Sequence, residues 1–282
     1  MQNKKLDLMP VEKLVDLFIQ EEKKTINELK HQKNNIVKVI KQLIENLKRN
    51  GRIIYIGSGT SGRLGILDAV ECKPTFNTNL FNAIIAGGNS AIFQAKEGVE
   101  DNIKQAIKDL QKIKLKKNDV IIGISASGET PYTLSAIKYG KKGKILTIAI
   151  TSNPNSTISR VASYHISPLI NQEIISGSSR LRSGTAQKII LNMLSSITMI
   201  KRGKVFNNLM LEVQPTNEKL IKRAIGIISS ICKLSLNKAA YLFAKAKKNT
   251  KAAIVMHFKK CDLKTAKSLL QKANFNIREI IG

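Results

Sequence analysis

Tryptophan is absent, cysteine occurs three times, and only 20 of the 282 residues are acidic. Each scarcity excludes something. Cys72, Cys232 and Cys261 are scattered and odd in number, which argues against a disulfide framework or a zinc site and predicts a reducing, cytoplasmic setting. Long apolar runs are missing too: none approaches the roughly 20 residues that span a bilayer, so no membrane partner is expected. The opening MQNKKLDLMPVEKLVDLFIQEEKK mixes charge with apolar residues and lacks the uninterrupted apolar block of a signal peptide. The scarcity of acids leaves a formal charge of +27, the kind of excess that suits a nucleic-acid binder. Yet the excess is lysine spread along the whole chain, with nine arginines and 5% aromatics. No helix-turn-helix signature, aromatic RNA-binding motif or zinc finger accompanies it. A nucleic-acid partner is therefore not expected, and the positive field favours small anionic substrates.

What is present is a foldable chain, 43% hydrophobic and without a low-complexity tract. Residues 10–30 and 33–50 carry apolar residues at helical spacing. The period then changes: 52–57, 82–87, 119–125 and 144–150 are short β-branched runs bounded by Gly, Ser or Asn. Helix-like stretches lie between them at 62–70, 90–112 and 131–140. That alternation predicts an α/β fold, and apolar runs without alternation predict a parallel sheet covered on both faces. A long helix is expected from about residue 184, with Ile189, Met193, Ile197 and Ile200 on one face, then another over 216–232. Three or four short helices should follow Leu234. We therefore divide the chain into an N-terminal helical segment (1–44), an α/β domain (45–208), a connecting helix (209–233) and a small helical domain (234–282).

Within GRIIYIGSGTSGRLGILDAVECKPTF, residues 51–76, Gly57, Gly59 and Gly62 stand at the spacing of the dinucleotide-binding fingerprint. That fold also needs an acid after the second strand for the ribose hydroxyls. Here the strand ends in Gly87-Gly88-Asn89-Ser90, so no nicotinamide or flavin cofactor is expected. The loop offers Ser58, Thr60 and Ser61 ahead of a helix N-terminus, where anions bind; from one loop alone, a mere helix cap explains them equally well. A second loop of the same design, Ser125-Ala126-Ser127-Gly128-Glu129-Thr130-Pro131, follows a strand and opens a helix at proline. Both loops converge where open α/β sheets bind ligands, and one phosphate seated between them accounts for both.

The paired loops GSGTS and SASGET resemble those of the sugar isomerase (SIS) phosphosugar-binding fold. Together with GTSGRLGILDAVECKPTF, IAGGNSAIFQAKEGVEDN, SASGETPY and GSSRLRSGTAQKIILNMLSSITMIKRGKVFNNLMLEVQPTNEKL, they resemble the N-acetylmuramic acid 6-phosphate etherase family from about Leu6 to the C-terminus. The resemblance implies a flavodoxin-like, three-layer α/β/α domain over 45–208. It implies cleavage of the D-lactyl ether at carbon 3 of the sugar, giving N-acetylglucosamine 6-phosphate and D-lactate during cell-wall recycling. No metal or organic cofactor would be needed, and a homodimer is expected. The family's two active-site glutamates match Glu71, in ECKPTF, and Glu100, in EGVEDN. Glu71 is assigned the acid that protonates the lactate oxygen and later activates water, and Glu100 the carbon base. Read without the resemblance, each is an acid at a helix end.

Gly59, Thr60 and Ser61, then Ser125, Ser127 and Thr130, match the phosphate-binding positions. Ser178 and Ser179 match the sugar contacts, with a second helix cap as the alternative. His31, His165, His257 and the cysteines are read as structural. Three departures from the family stand out. Relatives carry a dozen or so residues more before LDLMPVEKLVDLF, an arm whose loss would weaken activity if it covers the site. Lys73 replaces a proline near Glu71 and would alter loop stiffness there. Glu129 stands where close relatives often have arginine. The rival readings are a phosphosugar isomerase and a non-catalytic phosphosugar-sensing regulator.

Overall fold

The computed structural model describes residues 5–282. Two amphipathic helices come first, α1 (Val11–His31) and α2 (Lys33–Lys48). The α/β part follows as β1 (Ile53–Gly57), α3 (Gly59–Phe76), β2 (Phe81–Ile85), α4 (Ser90–Phe93), α5 (Ile103–Lys112), β3 (Val120–Ile124), α6 (Pro131–Lys142) and β4 (Leu146–Ile150). A one-turn helix α7 (Thr157–Val161), an edge strand β5 (Tyr164–Ile166) and the long α8 (Arg182–Lys201) complete it. Beyond lie a short hairpin, β6 (Val205–Phe206) and β7 (Leu209–Met210), and the helices α9 (Glu218–Cys232), α10 (Leu236–Lys245), α11 (Thr250–Lys259), α12 (Leu263–Lys272) and α13 (Arg278–Ile281).

The contacts divide the chain into two units. One holds the chain through Val70 together with Leu80–Ser195; the other holds Glu71–Asn79 and Ser196–Gly282. The first unit contains a five-stranded, fully parallel sheet of order β2-β1-β3-β4-β5. All five residues of both β1 and β3 are buried, as two-sided coverage demands. On one face Ile54, Ile56 and Ile121 pack with Tyr132, Ala136 and Ile137 of α6. On the other, Tyr55 donates to Asp68 of α3 at 2.9 Å, and Asn192 and Ser195 of α8 donate to the same carboxylate. The α/β/α layering expected from the strand-helix alternation is therefore present.

Two local expectations fail. Residues 90–112 are not one helix. After α4 the chain turns through Gly98 in the left-handed region (φ 76°), forms a 3-10 turn at Val99–Asp101, and restarts as α5 under an Asn102 cap bonded to the Gln105 amide. The break puts Glu100 in a loop rather than on a long helix. The stripe Ile189, Met193, Ile197 and Ile200 on α8 is half-buried to exposed, and Ala186, Ile190, Leu191 and Leu194 are buried instead. Apolar residues surround α8 on most sides, so spacing alone does not select its buried face.

The first unit also holds an ion pair that the sheet depends on. Asp119, fully buried, accepts from the Arg52 amide at 2.8 Å and from Arg52 Nη2 at 2.7 Å, and from the Lys116 amide at 2.8 Å. Burial by itself raises the Asp119 carboxyl, but the hydrogen bonds from Arg52 and Lys116 outweigh it and hold the group below its usual range. The unfolded chain then binds the extra proton, so this contribution is complete above the ordinary aspartate pKa and is lost as pH falls through the lower folded value. Asp119→Asn should cost about 3 kcal/mol at neutral pH. In urea titrations the gap to the parent chain should narrow in acid; a gap independent of pH would refute this account.

The second unit has its own core. Ala224 and Ile228 of α9 and Phe243 of α10 pack with Ala252, Ile254 and Val255 of α11 and Leu270 of α12. Helices α9 to α12 each begin at a side-chain cap, Asn217, Ser235, Asn249 and Asp262 respectively, the residue types that satisfy first-turn amides.

Candidate active site

The order β2-β1-β3-β4-β5 reverses direction between β1 and β3. Loops leaving the carboxyl ends of two such strands part company there and leave a crevice. The loop after β1 and the loop after β3 both line a cavity of about 400 Å³ at that point.

The first loop is tighter than its sequence suggests. Helix α3 begins at Gly59, so Thr60 and Ser61 belong to its first turn, where backbone amides lack intrahelical partners. Gly59 sits at φ +51°, with open space where a side chain would project. Gly62 serves packing: a Cβ there would lie 2.6 Å from Ile85 Cγ1 and 2.8 Å from the Gly57 carbonyl. Of the three glycines, Gly59 therefore lines the cavity, while Gly57 and Gly62 let α3 seat against the sheet.

The second loop is organised by Ser125. Its buried hydroxyl accepts from the Gly128 amide at 3.0 Å and pairs with the Thr130 hydroxyl at 2.8 Å. Ser127 Oγ accepts from the Glu129 amide. Glu129, the departure noted above, turns away to accept from the Thr157 amide at 2.7 Å. Hydrogen bonds from the Thr157 side chain and amide, and then the nearby Arg160, hold its carboxyl below the usual range.

Gly59, Thr60 and Ser61 thus share one cavity with Ser125, Ser127 and Thr130. Glu100 and Ser179 line it as well. Ser178 does not, though its neighbours Gly177 and Ser179 do. The first turn of α8 is capped by Glu173, whose two carboxylate oxygens accept from the Arg182 and Ser183 amides at 2.8 and 2.9 Å. Neither serine is needed for that task. Arg182 itself is buried, paired with Glu21 at 3.2 Å and bonded to the Gln172 carbonyl, which fixes the strap carrying Ser179.

Arg63, Lys96 and Glu97 also line the cavity and carry no local sequence signal. Arg63 donates to the carbonyls of Ile92 and Gln94, binding α3 to the segment that brings Lys96, Glu97 and Glu100 to the cavity. A second polar space of about 640 Å³ adjoins the first through Ala126, Ser127, Gly177 and Ser179. Ser152 lines it with a buried hydroxyl that has no hydrogen-bond partner.

Glu71 is not among the cavity-lining residues. It is exposed and lies ten residues beyond Ser61 in the sequence of α3. Its neighbourhood is a helix rather than a loop: Lys73 and Pro74 lie within α3, so the exposed Lys73 has no loop to loosen. The three histidines are singly placed. His165 Nδ1 pairs with the Ser167 hydroxyl at 2.9 Å, and His257 stacks edge-on against Phe258. Among the described residues, no group of three or more His, Cys, Asp or Glu side chains is placed to hold a metal. None of the described helices is long and apolar enough to cross a membrane.

Comparison with known proteins agrees with this architecture. Residues 35–141 match the glucokinase regulatory protein N-terminal SIS domain and residues 99–197 the SIS domain. Among solved structures, a phosphoheptose isomerase from Francisella tularensis superposes with a TM-score of 0.54 at 15% identity, covering 67% of this chain and 98% of that one. A putative phosphosugar isomerase involved in capsule formation from Bacteroides fragilis gives 0.52 at 18%, covering 68% and 91%. At such identities the likeness shows the fold alone. The sequence relatives are closer. The N-acetylmuramic acid 6-phosphate etherase of Francisella philomiragia is 46% identical over 95% of this chain and 92% of its own. That of Staphylococcus saprophyticus is 46% identical over 94% and 90%, and that of Geobacillus thermodenitrificans 42% over 99% and 95%. With 42–46% identity over nearly the full length of both chains, this chain belongs to the N-acetylmuramic acid 6-phosphate etherase family.

Proposed function

We propose that this protein cleaves the D-lactyl ether of N-acetylmuramic acid 6-phosphate, releasing D-lactate and N-acetylglucosamine 6-phosphate. The observation that carries the reading is the placement of Glu100 in one cavity with both hydroxyl loops. A phosphate held by Thr60, Ser61, Ser127 and Thr130 anchors one end of the sugar, with Ser125 shaping the loop. The sugar body extends past Ser178 and Ser179 into the adjoining polar space.

The chemistry follows from the substrate. An alkyl ether beside an unactivated carbon does not leave readily, but the open-chain sugar has an aldehyde that acidifies the proton on carbon 2. Glu100 takes that proton, the carbon 2–carbon 3 double bond forms, and the carbon 3–oxygen bond breaks. Glu71 donates a proton to the departing lactate oxygen. Water then adds at carbon 3, giving its proton to Glu71, while Glu100 returns a proton to carbon 2. The aldehyde is the electron sink throughout, and no net oxidation occurs, so the sequence calls for neither redox cofactor nor metal.

Glu71 is not among the residues that line the cavity. We assign it to the neighbouring protomer of a homodimer, working in the cytoplasm. Purified protein given the 6-phosphorylated substrate should release one D-lactate per sugar, unaffected by a chelator. Sugar-phosphate binding without lactate release would indicate a sensor instead. Aldose–ketose interconversion without lactate would indicate an isomerase.

A further inference from the structure

A cationic pocket lies wholly within the helical unit. Its volume is about 370 Å³, and it opens at the N-terminus of α11. Lys247, Lys248, Lys251 and Lys267 line it, against Glu212. Glu212 is already committed: its Oε1 lies 2.7 Å from Lys251 Nζ and 3.2 Å from Lys204 Nζ. Lys251, buried, also donates to the Phe275 carbonyl at 2.7 Å. Among the described residues no acid pairs with Lys247, Lys248 or Lys267, so the pocket has a net positive charge awaiting an anion.

Helix α11 aims its first turn at this space. Asn249 accepts from the Ala252 amide, leaving the amides of Thr250 and Lys251, which have no intrahelical partner by position. The independent observation is Thr250. It lines the pocket, is 4% exposed, and its hydroxyl has no hydrogen-bond partner. A buried hydroxyl of that kind is costly to leave unsatisfied and rare in folded proteins. An oxyanion in the pocket would accept from it, from the first-turn amides and from the lysines together.

We propose that this pocket is a second anion site, selective for a phosphate group, either free or carried as a phosphomonoester. It is distinct from the cradle between β1 and β3 and independent of the reaction assigned to that cradle. Volume and charge suit one phosphorylated small molecule rather than a polymer.

The test uses the full chain carrying Thr60→Val and Ser127→Ala, which blind the first cradle. Calorimetric titration with inorganic phosphate, and separately with glucosamine 6-phosphate, should still show one phosphate group bound per chain. Tighter binding of the ester identifies a phosphomonoester as the ligand, and equal binding identifies phosphate itself. Adding Lys247→Glu and Lys248→Glu should weaken binding more than tenfold, and Thr250→Val about tenfold, while Thr250→Ser retains it. Thr250→Val without ligand should melt no lower than its parent, because it removes an unsatisfied hydroxyl, yet gain less from added phosphate. Loss of all binding in the cradle-blind parent overturns the proposal, as does full binding in the lysine variant.

Discussion

Glu71→Gln and Glu100→Gln should each reduce D-lactate release by about 10³-fold or more, yet their co-expressed mixture should recover about a quarter of parental activity. The individual losses follow from removing the only group in each role that changes protonation state during the cycle. The recovery follows from the separation of the two residues. Glu100 lines the cavity formed with its own hydroxyl loops, whereas Glu71 is exposed far along α3 and does not line it. If each site takes its acid from the neighbouring protomer, a mixed dimer contains one intact site and one doubly defective site. Half of the dimers in an equal mixture are mixed, which gives the quarter. If each chain uses its own Glu71, every site in the mixture lacks one carboxylate and activity stays at background. Lactate release by the co-purified mixture, against each variant alone, decides between them.

The second large effect belongs to the cradle. Thr60→Val with Ser127→Ala should lower kcat/KM by about 10² to 10⁴-fold, mainly by raising KM, since each hydroxyl bonded to a phosphate dianion contributes about 1.5–3 kcal/mol. Both substitutions leave Gly59 and Gly128 in their positive-φ turns and keep the Ser125–Thr130 pair that shapes the second loop. Any turnover of unphosphorylated N-acetylmuramic acid should be unchanged, because that sugar has no phosphate for those hydroxyls to hold. An equal loss on both substrates would show that the loops hold the sugar or the fold, and would refute the phosphate assignment.

Much of this architecture is legible in the amino-acid sequence. The strands around Ile54 and Ile121 announce themselves because a sheet covered on both faces requires unbroken apolar runs. The hydroxyl loops after β1 and β3 are legible for a related reason: phosphate needs many small donors at helix starts, and such clusters are conspicuous in sequence. The start of α3 was placed three residues late because its first turn is Gly-Thr-Ser, a composition that imitates a loop. Helix 90–112 was over-extended because its apolar spacing continues across Gly98, and only the left-handed backbone there reveals the break. The three-residue β5 is too short for any periodicity to register.

By itself, then, the sequence determined the parallel sheet, the short helices that follow Leu234, the two hydroxyl-rich loops and the family, all of which rest on local patterns of burial, capping and motif. Tertiary structure alone decided that Arg63 ties down the segment bearing Glu100, and that Glu173 rather than Ser178 or Ser179 caps α8. It alone showed that Glu71 stands outside the cavity and that Thr250 is left without a partner beside a cluster of lysines. Each of these depends on which groups meet once the chain has folded, and no local periodicity encodes where a long polar side chain finds its partner.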